Sequence, residues 1–373
     1  MSLALDRDQV SFAGALGDLL DDLPDDQRPH ALTSGDRTPD TEAIEPLWRR
    51  LALGMGVTGL PLGDDLGGAD ATWREVGVVL EALGAHATPL PYVPVMLAVR
   101  ALERVDSADA RSLLSDIVKN GRREVLAVDA ARRALPSALP RWESGRVTGT
   151  VPRVLGGDVA DGFVCLAEAD GTTALVHVEA ATARVAPQRT VDLTRHLADV
   201  QLDAAPAQLL SPSIEPGSFA EIAAFGAAAV AAESVGGADR CLAITVDYVK
   251  LRHQFGQVIG GFQALKHTLA DVVRLVEPAR AAVRAAFEAL ATGEDPVRAS
   301  TVARLAASEA FVQAAGVAVQ LHGAIGFTWE HELQLHLKRA MVGQTLFGSS
   351  REHRLVLAEH LVAELAGNDG KVA

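Results

Sequence analysis

The sequence predicts an α+β protein, mostly α, in which an N-terminal helical domain and a four-helix-bundle-like C-terminal domain flank a small antiparallel β domain. Three observations carry this expectation. Hydrophobic residues make up 49% of the 373 positions, enough for a sizeable core and too many for a disordered chain. Alanine, the best helix former, fills many of the apolar runs, while aromatics are scarce at 4%. Between roughly residues 120 and 210, helical periodicity gives way to short β-prone segments punctuated by glycine, proline and aspartate. The expected domains are therefore 1–117, 118–212 and 213–373.

Taken in order, Asp6 with Gln9 reads as a capping box ahead of Val10, Phe12, Leu16 and Leu19. Amphipathic runs over Glu42–Leu53 and Thr72–Leu83 flank the turn-rich LPLGDDLGGAD, and TPLPYVP leads into a short helix over Val95–Leu102. EVLAVDA, GRVTGTVPRV, DGFVCLAE, TTALVHVE and DVQLDA supply the strands. Beyond Pro216, Ser218 and Glu221 suggest a second capping box. Phe262, Leu265, Leu269, Val272, Val273 and Val276 trace one face of the next helix. Asp295–Pro296 reads as an N-cap with proline at the first helical position. Ser349 with Glu352 opens the last helix, which carries Leu355, Leu357 and Leu361.

Composition narrows the function. With 34 basic and 48 acidic residues the net charge is −14, a surface that repels polyphosphate backbones, so no nucleic-acid partner is expected. Cys165 and Cys241 offer neither a metal-ligand spacing nor a disulfide framework. No metal site is expected, and a reducing compartment fits. MSLALDRDQVSF lacks the basic region and apolar core of an export signal, and no apolar stretch approaches ~20 residues without a charge or a glycine. A cytoplasmic protein without a membrane span is the expectation.

Two segments stand out chemically. In Tyr248–Asp271, Arg252, Phe255 and Gly256 close one helix and start a tight turn, and Gly260–Gly261 open the next helix. A guanidinium beside open backbone amides at a helix start suits a pyrophosphate. In Val319–Arg339, Gln320 is followed by Gly323, Ala324 and Gly326, small residues that admit a ligand close to the backbone. Each has a plainer reading: a hairpin turn with one solvated arginine, and a helix C-cap followed by a loop. His322 has no partner at metal spacing and reads as a polar loop histidine.

Both segments, in this order and spacing, together with LGDDLGG and the helix–strand–helix order, resemble signature stretches of the acyl-CoA dehydrogenase family over nearly the whole chain. The likeness is nearest to subunits of the heteromeric steroid side-chain acyl-CoA dehydrogenases. The resemblance implies an FAD cofactor contacted by Arg252, Phe255, Gln263, Gln320 and Gly323. Ser349, in GSSREH, is an N-cap or a flavin contact. It also implies an acyl-CoA substrate, an electron-transfer acceptor, and a homo-oligomer or a hetero-oligomer with a homologous subunit.

The family's reaction removes a proton beside the thioester while hydride goes to flavin N5, so it needs a carboxylate base in a dry pocket. At the two usual glutamate positions the resemblance places Phe347 and Gly226. A third location, thirteen residues before Arg252, is Asp239. Glu233 lies six residues earlier, about 240° around the helix. Either acid is the base or a solvated or capping group. Three functions follow: an FAD-dependent acyl-CoA dehydrogenase that α,β-desaturates a CoA thioester, with a steroid side chain as one option; a non-catalytic partner subunit completing the FAD site of a homologous chain; or, third in order, a family relative doing other flavin chemistry such as oxidation or hydroxylation.

Overall fold

The N-terminal region is built from α1 (Arg7–Asp21), α2 (Pro29–Leu32), α3 (Thr41–Arg49), α4 (Trp73–Ala85), α5 (Tyr92–Leu102) and α6 (Ala108–Asn120). The computed structural model describes residues 3–33, 41–134 and 138–368. Asp6 and Gln9 do form a reciprocal capping box at the start of α1, and Thr72 with Glu75 forms another at α4. The run expected over Glu42–Leu53 is helical but changes at Arg50 from α to a π-type turn, Arg50–Gly54. Helix α5 begins three residues earlier than expected, at Tyr92. Pro94 sits in its first turn, where the absent N–H would have had no helical partner.

Next come β1 (Glu124–Ala127), β2 (Arg141–Glu143), β3 (Arg146–Leu155), β4 (Gly162–Ala169), β5 (Thr172–Glu179), β6 (Arg184–Pro187), β7 (Leu197–Pro206) and β8 (Gln208–Ser211). They form one sheet in the order β6-β7-β3-β2-β4-β5-β8, with β1 also paired to β4. Neighbours are antiparallel except along one edge of β4. There β1 pairs in parallel from Glu124↔Gly162 to Ala127↔Cys165, and β2 adds Arg141↔Glu168. Because β1 and β2 share that edge, the chain between them must leave the sheet.

The C-terminal region contains α7 (Pro216–Leu251), a two-residue hairpin of β9 (His253–Gln254) and β10 (Gln257–Val258), α8 (Gln263–Thr292), α9 (Pro296–His322), α10 (Leu333–Gly343) and α11 (Ser350–Asn368). Helices α7, α8 and α9 pack side by side, α11 lies against α9, and α4 closes the other side of α7 and α8. Ser218 and Glu221 do not cap α7. Pro216 takes the first helical position behind Glu215, leaving Ser218 inside the first turn, and Glu221 pairs with Arg104. Ser349 and Glu352 do cap α11 reciprocally, at 2.8 and 3.3 Å. On α8, Val272 and Val276 face inward while Val273 is 42% exposed, so the expected apolar face is narrower than the sequence suggests.

Alanines along α7 let its neighbours approach closely. The approach is tightest against α4: a Cβ on Gly236 would lie 1.9 Å from the Glu81 carbonyl oxygen, and one on Gly84 2.1 Å from that of Glu233. Nearby, the Phe225 ring meets Trp73 edge-on at 4.9 Å and Phe287 at 6.3 Å, tying α4, α7 and α8 together. Two helical stretches, Gly217–Leu251 and Pro296–Phe327, are long and apolar enough to cross a membrane by length and composition. The apolar window of the first is 89% buried inside the protein.

Charged groups are buried where the sheet meets the helices. Glu233 on α7 accepts from Arg195, in the loop before β7, and from Arg339 on α10, each at 2.7 Å. Arg195 also faces Asp192 at 3.3 Å, and Arg339 donates to the Thr194 hydroxyl at 2.7 Å. All four charged residues are at most 5% exposed. Burial pushes the Glu233 carboxyl up, but the two guanidinium groups outweigh it and hold it below the usual carboxylate range.

Breaking such a pair leaves a buried cation uncompensated. Glu233→Gln should therefore lower stability by about 3–5 kcal/mol in urea titrations at pH 7. With its folded pKa depressed, Glu233 stabilises above its unfolded value of about 4.3, and that contribution is lost as pH falls through the folded value. The gap between wild type and Glu233→Gln should shrink on acidification.

Candidate functional site

Helices α7 and α9 run parallel, so their C-terminal ends meet at one end of the bundle. There the Tyr248 ring stacks on His322 with centroids 4.2 Å apart. His322 is not a loop residue, as the sequence suggested. It is the buried last residue of α9, and its Nδ1 bonds the Ala318 carbonyl at 2.7 Å.

Beyond this stack two loops project into solvent. In the first, the β9–β10 turn has Phe255 at φ 55° and Gly256 at φ 82°, the left-handed pair that a tight hairpin requires. Phe255 is 91% exposed. Among the described residues no carboxylate pairs with Arg252, whose backbone instead bonds Tyr248 and Ile259. Gln263 opens α8 behind Phe262, with no side chain capping that helix start. In the second loop Gly323 adopts φ 67° and ψ −142°, a conformation reserved for glycine, and a Cβ there would meet nothing within 4 Å. Gln320 and Ala324 are exposed beside it.

The fold thus gathers Arg252, Phe255, Gln263, Gln320 and Gly323 at one exposed end. Their donor set of an unpaired guanidinium, an uncapped helix start and open backbone fits the phosphate and ribose parts of a dinucleotide. Ser349 lies apart from them. It opens α11 near Arg304, which is sixteen residues before Gln320 on α9, roughly 24 Å along the helix.

Around Phe347 the chain is tightly fastened. Phe347 is 2% exposed, with φ 51°. Its ring lies on Gly226 so closely that a Cβ added there would come within 2.7 Å of it. The two positions where the resemblance would place a glutamate therefore face each other, and the space between them is hydrocarbon. The Phe347 amide is also occupied, donating to the Ala130 carbonyl at 2.7 Å. Ala130 belongs to the segment that leaves the sheet between β1 and β2. That segment is tied down by Ala130 N–H to the Arg153 carbonyl at 3.1 Å and by Arg153 Nε to Asp129 at 2.9 Å.

From the other side, His353 bonds the Phe347 carbonyl at 3.0 Å, while the buried Arg304 donates to the carbonyls of Gly343 and Leu346. Burial, reinforced by the Arg304 charge, pushes His353 down to about 4, so it holds this bond as a neutral imidazole.

The two candidate acids lie elsewhere on α7. Both oxygens of Glu233 are taken by the guanidinium groups of Arg195 and Arg339. Asp239 is thirteen residues, roughly 20 Å of helix, from Gly226. Its side chain is 53% exposed and pairs with Arg280 at 2.9 Å. Burial, then repulsion from Glu277, raises its carboxyl above the ordinary value. No cluster of three His, Cys, Asp or Glu suited to a metal occurs among the described residues. The roles of Ala130, His353 and Arg304 carried no sequence signal, since each acts through a main-chain contact that only the folded chain creates.

Comparison with known proteins identifies the family and the fold. The family described as "Acyl-CoA dehydrogenase, C-terminal domain" matches residues 219–362. The acyl-CoA dehydrogenase IpdE2 of Mycobacterium tuberculosis is 36% identical over 308 residues, covering 83% of this chain and 84% of its own. Among solved structures, the Tcur3481-Tcur3483 steroid ACAD is 26% identical, with a TM-score of 0.81 over 96% of this chain and 99% of that one. The ChsE4-ChsE5 complex of Mycobacterium tuberculosis contains a chain with a TM-score of 0.84 at 24% identity, covering 97% of this chain and 99% of its own.

The contact between Phe347 and Gly226 is directly testable. Gly226→Ala should cost about 1–3 kcal/mol by overpacking. Phe347→Leu in the same chain should return part of that loss, giving a coupling of about 0.5–3 kcal/mol in a double-mutant cycle followed by urea denaturation. Additive effects would show that the ring does not rest on Gly226.

Proposed function

The chain belongs to the acyl-CoA dehydrogenase family, oxidoreductases acting on CH–CH bonds, and on that premise we propose that it is the base-less subunit of a hetero-oligomeric, FAD-dependent acyl-CoA dehydrogenase. One observation carries this reading: the Phe347 ring packed on Gly226, which fills both family base positions with carbon. A base there must accept a proton, and neither side chain can. The Phe347 amide is committed to Ala130, so it is not available to a thioester oxygen either.

In this reading the chain contributes its exposed bundle end. Arg252 and the helix start at Gln263 hold the pyrophosphate, while Gln320 and the open backbone at Gly323 receive the adenosine. Phe255 reaches across the subunit boundary. FAD supplies the hydride acceptor, and a homologous chain supplies the carboxylate. The names of the similar structures, one a two-chain complex and one a steroid enzyme, support a hetero-oligomer acting on a bulky, steroid-type CoA thioester, with the electrons passed to an external acceptor.

A second reading, a dehydrogenase active alone, is favoured by one feature: the raised carboxyl of Asp239, a property suited to a base. Its exposure and its separation from Phe347 weigh against it.

Visible spectra separate the two. The chain purified alone should be colourless and should carry FAD when co-expressed with the homologous chain it assembles with. In that complex Arg252→Ala should reduce flavin occupancy, whereas Asp239→Asn should leave turnover with acyl-CoA and an artificial acceptor within about twofold. A chain that is yellow and active alone, and inactive as Asp239→Asn, would establish the second reading.

A further inference from the structure

The loop after α9, residues 323–331, is fastened firmly at its two ends. At the first, His322 is stacked on Tyr248, and the His331 ring stands edge-on to His322 at 4.9 Å. At the second, the Leu333 N–H donates to His331 Nδ1 at 3.2 Å, and Glu332 pairs with Arg240 of α7 at 3.1 Å. Between these points the turn bonds mostly to itself. The N–H and the hydroxyl of Thr328 both reach the Ile325 carbonyl, at 3.1 and 2.9 Å. Gly326 rests on Val319 of α9, but the side chains of Ile325, Phe327 and Trp329 are exposed, so little packing holds this middle stretch in shape.

One contact reaches the stretch from far away in the chain. His30 of α2 donates from Nε2 to the Trp329 carbonyl. A carbonyl only accepts, so His30 carries a proton on Nε2. Among the described residues this is the one hydrogen bond to the main chain of residues 323–331 from an element that does not flank the loop. The indole of Trp329 is held as well: the Lys338 ammonium of α10 stands 3.9 Å from the ring centroid, and Lys338 also donates to Gln334 at 2.6 Å. Trp329 is therefore gripped through its main chain by α2 and through its ring by α10.

Helix α2 has only four residues and buries none of them. Local bonds give it its course. Arg28 Nε donates to the Leu23 carbonyl at 3.2 Å, Pro29 takes the first helical position, and the Thr33 hydroxyl bonds the Pro29 carbonyl at 2.8 Å. A cavity of about 550 Å³ lies between α2, the ends of α1 and α4 and the start of α10. A helix so loosely seated acts on the loop through the His30 bond rather than through burial. Removing that ring leaves the core untouched.

On the FAD reading given above, on which this inference rests, we propose that His30 is a positioning residue for the cofactor: through the Trp329 carbonyl it keeps the loop after Gly323 in the shape that receives the adenosine end. Hydrogen exchange of the full chain tests the anchor. His30→Ala should raise exchange at residues 323–331 about fivefold, the worth of one ordinary hydrogen bond, and His30→Gln, which keeps an N–H donor, should restore the wild-type rate. Unchanged exchange in His30→Ala overturns the proposal. Titration of FAD into the flavin-stripped complex with the homologous chain tests the consequence. The dissociation constant should be about fivefold higher in His30→Ala and return to the wild-type value in His30→Gln, with the urea midpoint and the turnover at saturating FAD unchanged. A lowered urea midpoint in His30→Ala overturns the positioning role. Equal FAD affinity in wild type and His30→Ala overturns this inference and leaves the FAD reading standing. A wild-type complex that takes up no FAD overturns that reading, and this inference with it.

Discussion

A carboxylate clamped by two guanidinium groups out of reach of water is the constraint on which the rest of the architecture depends. Glu233 comes from the longest helix, Arg195 from the loop that feeds β7, and Arg339 from α10. None of the three charges is tolerable alone at that depth, so sheet and helices must dock in one register or not at all. Hydrophobic burial supplies most of the favourable free energy, but it is non-directional. The ion cluster, unlike that burial, ties α7, the loop before β7 and α10 together at particular atoms.

That docking sets the position of Phe347. With the sheet seated on α7 and α10, the segment leaving β1 arrives where Ala130 can accept the Phe347 amide. Arg304 and His353 grip the carbonyls on either side. A residue held in a left-handed conformation by three main-chain contacts has little freedom to swing aside. The hydrocarbon over Gly226 is consequently a fixed part of the fold. The exposed end of the bundle, by contrast, is shaped by local turn chemistry and ring contacts such as the Tyr248–His322 stack, and its loops remain open to a ligand or a neighbouring chain.

Much of this was legible in the sequence wherever the determinant is local. The capping pairs at Asp6 and Ser349, the break in helix periodicity through the sheet, and the turn residues around Gly256 and Gly323 all act over a few positions. Reading failed where two local signals competed, as when Pro216 displaced Ser218 from the cap. It also failed where partners are remote in sequence. The parallel pairing of β1 and β2 with β4, the contact of Phe347 with Gly226 and the encirclement of Glu233 depend on tertiary placement that no short window contains. His336 shows the same limit: nothing in its neighbouring sequence marks it as one of the most deeply buried polar side chains.

The hairpin that carries Phe255 has a consequence for handling the isolated chain. A nearly bare aromatic ring on a strained two-residue turn, with Leu251 also 78% exposed behind it, presents a protease of chymotryptic preference with backbone that little packing protects. Nicking there separates α7 from α8 covalently while leaving the helices packed. The cut species therefore keeps its helical signal and its mass in solution, and only a denaturing gel reveals the break.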